Sequence, residues 1–296
     1  MVPENIDIKP MDLFYIIPMV IALLTAKFIF QKTVYFLLET CQNINFLPPS
    51  NPSRILETTY LKSKKLNQRD PQECLNRRYN EGEEYLNNLC ENVFQYLYYV
   101  LIFTYGIAVL WNKPWLWNIS KCWEDFDHQK TSVDIWWYYM ISQTFYYSNF
   151  VTHMYEAPKK HFYFILVHDV ITILILTLSW CYRFVRIGAV GMMVHDISNV
   201  FLQASKIAFA LRKEMAHACS FVVFSLVWLV TRMGVFPLWI IRNCLSVQVE
   251  FGFRHYGSIL LIGLLFILFG LHCFSTCMIF RIFSNAGKLV NAKTDV

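Results

Sequence analysis

Seven apolar runs dominate the chain, at about 12–32, 93–111, 133–153, 162–181, 186–208, 218–241 and 257–283. Each approaches the roughly 20 residues that carry an α-helix across a bilayer. Lipid offers no partner to a bare N–H or C=O, so a spanning segment must satisfy its backbone internally, and a helix does so alone. Of 296 residues, 56% are hydrophobic and only 16% charged, against about a quarter charged in soluble domains. The expected fold class is an all-α polytopic membrane protein of about seven transmembrane helices. The fifth run is the most polar, because it carries His195, Asp196, Asn199, Gln203 and Lys206. The first does not read as a cleaved leader: Glu4, Asp7 and Asp12 precede it against one Lys, and no small-residue cleavage site follows.

Lysine and arginine set the expected orientation. With the N-terminus outside, the segments 33–92, 154–161, 209–217 and the tail hold 13 Lys and Arg, against 7 in the opposite segments. The N-terminus is therefore expected in the lumen and the C-terminus in the cytosol. Asn118-Ile-Ser120, an N-glycosylation sequon, then falls on the lumenal side. Four regions follow: an N-terminal transmembrane helix over 1–40, a cytosolic polar segment over 41–92, the main helical body over 93–285 and a cytosolic tail over 286–296. Basic residues lie between apolar runs rather than in one patch, so no nucleic-acid partner is expected. The nine cysteines show no tight metal spacing and read as small packing residues.

An ionisable group near mid-membrane costs roughly 2.5–3.5 kcal/mol on insertion scales, so such groups line cavities or pair. The third run spaces Ser142, Tyr146, Asn149 and His153 by 4, 3 and 4. The fourth spaces His161, His168, Thr172 and Ser179 by 7, 4 and 7. The fifth spaces Asp196, Asn199, Gln203 and Lys206 by 3, 4 and 3, with His195 beside them. Each set makes one helical stripe, and the three stripes are expected to face one polar-lined chamber. Trp136, Trp137, Tyr138 and Tyr139 are expected in an interfacial aromatic belt.

Two His-Asp pairs, His168-Asp169 and His195-Asp196, lie in these runs. A neutral imidazole can take a proton from an amine or attack an acyl carbon, and a carboxylate can orient it. Neighbours on a helix diverge by about 100°, so His168 is expected to be oriented from the other span, by His195 or Asp196, rather than by Asp169. The same divergence argues against a metal site, since neither helix presents its His and Asp together. Acyl transfer within the membrane is the chemistry these residues suggest. A proton-coupled transporter is disfavoured, because no inverted repeat or Gly/Pro-broken helix pair is visible.

The stretch YYMISQTFYYSNFVTHMYEAPKKHFYFILVHDVITILILTLSWCYRFVRIGAVGMMVHDISNVFLQASKIA resembles the Lag1 motif of ceramide synthases, within the TRAM-Lag1-CLN8 (TLC) domain. NKPWLWNISKCWEDF, FVVFSLVWLVTRMGVFPLWII and KLVNAKTDV resemble further parts of that family. The segment RILETTYLKSKKLN…LNRRYN is similar to a shortened remnant of the homeobox-like region of many animal members. The resemblance covers roughly 93–296 and implies a TLC-domain helical bundle in the endoplasmic reticulum membrane, N-acylating a sphingoid base from a fatty acyl-CoA.

The family's site pattern is His-His on the fourth span, then His-Asp with a second Asp three residues on. His168, His195 and Asp196 match it. Asp169 stands where the second His belongs and Asn199 where the second Asp belongs. The implied roles are His168 as nucleophile or general base, His195 as second proton-transfer group and Asp196 as its orienter. Asp169 and Asn199 complete the cluster. Arg232, in the matching Trp-Leu-Val-Thr-Arg run, pairs a carboxylate or meets acyl-CoA phosphate. Lys159, Lys160, Arg212 and Lys213 are further phosphate contacts. No permanently bound cofactor is implied; acyl-CoA is a co-substrate. The partners implied are acyl-CoA, sphingoid base and membrane lipid, and a homo- or hetero-dimer is compatible with the resemblance. The broken His-His pair leaves one alternative: a non-catalytic TLC-domain protein serving lipid binding or membrane-protein biogenesis.

Overall fold

The computed structural model describes residues 5–40, 71–124, 129–155, 162–251 and 256–294. Of the 41–92 segment, only its helical end from 71 falls within them. The described helices are α1 (Ile16–Thr40), α2 (Pro71–Leu110), α3 (Val133–Tyr155), α4 (Phe162–Cys181), α5 (Val185–Ala210), α6 (Glu214–Trp228), α7 (Arg242–Phe251) and α8 (Tyr256–Thr294). A π-helical run over Leu229–Ile241 joins α6 to α7 without a break. Two short strands, β1 (Asn5–Ile6) and β2 (Thr131–Ser132), pair antiparallel.

Among the described residues, six stretches are long and apolar enough to cross a membrane: Pro10–Leu37, Gly82–Leu110, Phe162–Cys181, Val185–Ala210, Glu214–Ser246 and Gly257–Asn285. The protein is a multi-pass helical membrane protein. The remaining expected run, 133–153, is helix α3, which at 23 residues is long enough. Its Trp, Tyr, Gln and Ser content makes it less apolar than the run expected to be weakest, now α5.

The chain divides into two compact units, Met1–Thr25 with Tyr96–Val296, and Ala26–Gln95. Within the second, polar side chains meet across α1 and α2. Lys27 Nζ pairs with Glu91 Oε1 at 2.9 Å, Tyr35 donates to Asn87 Oδ1 at 2.7 Å, and Gln31 bonds the same Asn87. Partnered polar groups are what an apolar run can carry at tolerable cost.

The first unit holds the core. Tyr138, Tyr139, Met140, Trp180, Val190 and Leu110 are fully buried there. The expected belt on α3 is thus only partly outward: Trp137 is exposed, but Tyr138 and Tyr139 point inward. Four successive residues sweep most of the way round a helix, so they cannot share one face. Tyr139 bonds Ser179 on α4, and Tyr98 stacks on Phe145 with centroids 3.5 Å apart.

Helices α4 and α5 end with Arg183 and Arg212 in the left-handed region, φ 64 and 54. Behind them Phe184 N–H donates to Ser179 O at 2.7 Å and Lys213 N–H to Ala208 O at 2.9 Å. These bonds turn the chain and cap the last carbonyls in the usual Schellman manner. Cys90, Cys122, Cys181, Cys219, Cys244, Cys273 and Cys277 are free thiols. Burial pushes the Cys122 thiol up to about 12, which leaves it unreactive.

Gly188 on α5 marks a tight crossing. A Cβ there would lie 2.5 Å from the Tyr139 hydroxyl and 3.2 Å from Ser179 Oγ, and Tyr139 is too buried to yield. Gly188→Ala is expected to destabilise the protein by about 1–3 kcal/mol, read as a lower midpoint of thermal unfolding in detergent. Gly263→Ala, where a Cβ meets nothing within 4 Å, is expected to leave that midpoint unchanged.

Candidate active site

A cavity of about 290 Å³ opens among α3, α4, α5, the π-helical run and α8. Ile165, Ile175, Leu176, Leu261, Leu265 and Leu268 make it mostly apolar, and His168, Asp169, His195, Asn199 and Arg232 bring its ionisable and amide groups. The expected stripes reach it through Tyr146 and Asn149 on α3 and through His168, Thr172 and Ser179 on α4.

On α5 the stripe is turned by one residue from expectation. Gly188, Gly191, Met192, His195, Asn199 and Leu202 line the cavity. Asp196 and Gln203 are buried against other helices. The Asp196 carboxylate faces Tyr138 on α3, and its Oδ2 makes no hydrogen bond among the described residues. The expected orientation of His195 by Asp196 is therefore not the one formed. His195 Nδ1 lies 2.8 Å from Gly191 O, one turn earlier on its own helix. A carbonyl only accepts, so Nδ1 carries the proton and Nε2 keeps its lone pair. That Nε2 is buried and unpartnered among the described residues.

His168 also departs from expectation. Its Nδ1 lies 3.6 Å from Oδ1 of its neighbour Asp169, and no bond to Asp196 forms. The other carboxylate oxygen of Asp169 lies 2.7 Å from His153 Nδ1 on α3. Asp169 thus sits between two imidazoles and ties α3 to α4. Asn199 lies beside Tyr99 on α2.

Arg232 lies in the π-helical run and is 3% exposed. Its Nη2 donates at 3.1 Å to His195 O and to Ser198 Oγ on α5. Its Nη1 donates at 3.1 Å to His272 Nε2 on α8, and its guanidinium lies over the Trp228 ring at 4.8 Å, a cation–π contact. No carboxylate reaches it at ion-pair distance among the described residues. Arg232 is a lock between three elements rather than the partner of a carboxylate.

The π geometry serves this placement. Trp228, Arg232, Phe236, Ile240 and Cys244 all line the cavity at four-residue intervals. An α-helix would drift about 40° at each such step. The wider π turn, closed by i→i+5 bonds, cuts that drift and holds all five on one face. Arg242 N–H reaches Pro237 O in this way.

His272 is the residue the sequence reading missed. It is 1% exposed and lies on the α8 stripe that includes Leu261, Leu265, Leu268 and Ser275. Its ring centroid is 5.2 Å from that of His195 and 6.2 Å from that of His168. An imidazole in an apolar span was the available signal, though one His alone does not announce a site. Of the remaining expected contacts, Arg212 and Lys213 occupy the exposed turn between α5 and α6 and do not line the cavity. Lys159, Lys160 and His161 lie outside the described residues. Among the described residues no three His, Cys, Asp or Glu side chains group as a metal site would require. The arrangement offers a lone-pair base, a more accessible histidine beside a carboxylate, and apolar walls.

The family model described as TLC domain matches residues 88–281. Ceramide synthase 5 of Homo sapiens is 34% identical over 206 residues, covering 70% of this chain and 53% of that protein. Ceramide synthase hyl-1 of Caenorhabditis elegans is 32% identical over 223 residues, covering 70% and 60%. Ceramide synthase 4 of Bos taurus is 26% identical over 309 residues, covering 97% and 79%. The chain spans about half the length of the ceramide synthase 5 relatives.

Removing the guanidinium fork would leave Ser198, the His195 carbonyl and His272 Nε2 short of a donor, at about 1–3 kcal/mol for each buried group left unsatisfied. Arg232→Lys keeps the charge and loses the fork. Both Arg232→Lys and Arg232→Gln are expected to lower the thermal midpoint in detergent by several degrees.

Proposed function

This chain belongs to the TRAM-Lag1-CLN8 (TLC) domain family, and on that premise we propose that it is a ceramide synthase, joining a fatty acyl group from acyl-CoA to the amine of a sphingoid base. The observation that carries the reading is the meeting of His168 and His195 on one apolar-walled cavity within the membrane spans. The names of its relatives support the same chemistry.

His168, the more accessible histidine, acts as nucleophile or general base on the acyl group. Asp169 stabilises the charge that His168 gains, from 3.6 Å, and is itself held by His153. His195 accepts the proton of the attacking amine at Nε2, its tautomer set by Gly191 O. Asn199 and Tyr99 supply neutral polar groups beside the site, and Asp196 supports α5 from the α3 side. The apolar wall takes the acyl chain. Lys159, Lys160, Arg212 and Lys213 receive the CoA phosphates, and Arg232 retains Nε as a further donor toward the acyl donor. In this reading the protein resides in the endoplasmic reticulum membrane, with its N-terminus lumenal, Asn118 lumenal and its C-terminus cytosolic.

The test is expression in cells lacking endogenous ceramide synthases, followed by supply of sphinganine and a series of acyl-CoAs. Ceramide well above background is expected. A well-expressed protein that yields none rules the reading out. His168→Ala is expected to reduce turnover by at least about a hundredfold, the scale of lost acid–base catalysis. His153→Ala, which strips Asp169 of its hydrogen bond, is expected to lower turnover several-fold with the protein still folded.

A further inference from the structure

The cavity has an open end and a closed one. Ile165, near the start of α4, lines it and is 40% exposed, and the His168 side chain one turn on is 32% exposed. At the other end the lining residues are Ser179 on α4, Ile187 on α5, Cys244 on α7 and Leu261 on α8, all 5% exposed or less. The 11 residues from His168 to Ser179 climb about 16 Å along α4. That is close to half of a hydrocarbon core about 30 Å thick, the depth that one leaflet of acyl tails fills. Toward the closed end the hydroxyls of Thr172 and Ser179 are spent on the carbonyls of His168 and Leu176, and Ile175, Ile187, Ile240, Leu261 and Leu265 make an apolar wall. Gly191 faces this stretch from α5, one turn nearer the closed end than His195. A glycine weakens the middle of a helix, and packing does not require this one. Within 4 Å a Cβ at Gly191 would meet only Ile240 Cδ1, at 4.0 Å, whereas a Cβ at Gly188 would strike the Tyr139 hydroxyl at 2.5 Å. The room that a Gly191 side chain would fill belongs to the cavity instead. Glycine suits a backbone that a ligand must approach closely.

We propose that Gly191 is a specificity-determining residue: the gap at its Cα is the passage through which a straight acyl chain, about long enough to fill one leaflet, runs from the histidines into the closed end. The proposal rests on the acyltransferase reading and names the class of its acyl substrate. A single dead end takes one tail, and the acyl donor suits it. Its reacting carbonyl is the first atom of the chain, so with that carbonyl at His168 the whole tail lies toward the closed end and the CoA toward the open one. No polar atom follows the carbonyl along the chain. A sphingoid base instead carries an ammonium and hydroxyls, which are costly to bury unpartnered. Asp169 and Asn199 stand beside the histidines to receive that polar head. Filling the gap at Gly191 leaves the hydrogen bonds of the site in place, because the oxygen that accepts from His195 Nδ1 is the Gly191 backbone carbonyl. A side chain there changes the passage alone.

The test is a chain-length profile: kcat/KM with sphinganine and saturated acyl-CoAs from hexanoyl to stearoyl. The parent is expected to prefer palmitoyl-CoA to hexanoyl-CoA. Gly191→Leu is expected to lower kcat/KM for palmitoyl-CoA at least about tenfold relative to hexanoyl-CoA, since even one methylene in an apolar pocket discriminates on that scale. Gly191→Ala is expected to fall between the two. Gly263→Leu adds the same bulk at an exposed position off the cavity and is expected to keep the parent profile. An unchanged profile in Gly191→Leu, or an equal fall at every length with the thermal midpoint unchanged, overturns the proposal. So does a profile that shifts with the length of the sphingoid base in place of the acyl chain. A parent that acylates nothing overturns the acyltransferase reading, whereas an active parent whose profile Gly191→Leu leaves unaltered overturns the passage alone. Where Gly191→Leu does not fold, a palmitoyl-CoA analogue with a mid-chain diazirine, photolysed in the parent protein, decides. Adducts on the α5 peptide around Gly191 or on Ile240 support the passage, and adducts confined elsewhere, or none, overturn it.

Discussion

One guanidinium holds the functional half of this protein together. Arg232 is buried in a membrane-spanning segment, and no carboxylate reaches it at ion-pair distance among the described residues. Its charge is instead dispersed over a carbonyl, a hydroxyl, an imidazole and an indole face, contributed by α5, α6 and α8. A fork of fixed geometry suits this task, because each N–H is aimed before its partner arrives. The consequence for the chamber is direct. The partners Arg232 holds are the backbone of His195 and the ring of His272, so the helix lock and the proton states of the site share one set of hydrogen bonds.

The π-helical run extends the same logic to shape. Pro237 interrupts any regular α ladder over Leu229–Ile241, and the wider turn that results keeps five side chains on the cavity face. Gly188 and Gly191 on α5 face the same cavity, and Gly188 lets α5 approach Tyr139 closely. Bulk is thus supplied by the π-run and removed from α5. The chamber is the space left over.

Much of this was legible from composition and spacing. Apolar runs of bilayer length announced the spans, since helix length follows from hydrocarbon thickness. The stripes on α3 and α4 pointed where the side chains in fact converge, through Tyr146, Asn149, His168 and Thr172. Other readings missed. The α5 stripe is set one residue over, because His195 and Asn199 share a face as well as Asp196 and Asn199 do, and periodicity alone does not choose between faces 100° apart. Tyr138 and Tyr139 looked interfacial because aromatics collect at membrane borders, yet packing against α4 and α5 buries both. His272 escaped notice because a single histidine has no pattern. Its meaning lies in the atoms that surround it.

The amino-acid sequence by itself determined the class of solvent this chain folds in, the places where it crosses that solvent, and the few polar residues that lipid would not tolerate unpartnered. Those properties are local, set by transfer free energy and helical pitch. The tertiary structure alone decided that His195 turns Nε2 rather than Nδ1 away from its own backbone, that Asp169 answers to His153 as well as His168, and that Arg232 binds neutral groups in place of a carboxylate. The Asp169–His153 and Arg232 contacts depend on atoms from different helices meeting within about 3 Å, and no spacing rule along one helix encodes that meeting.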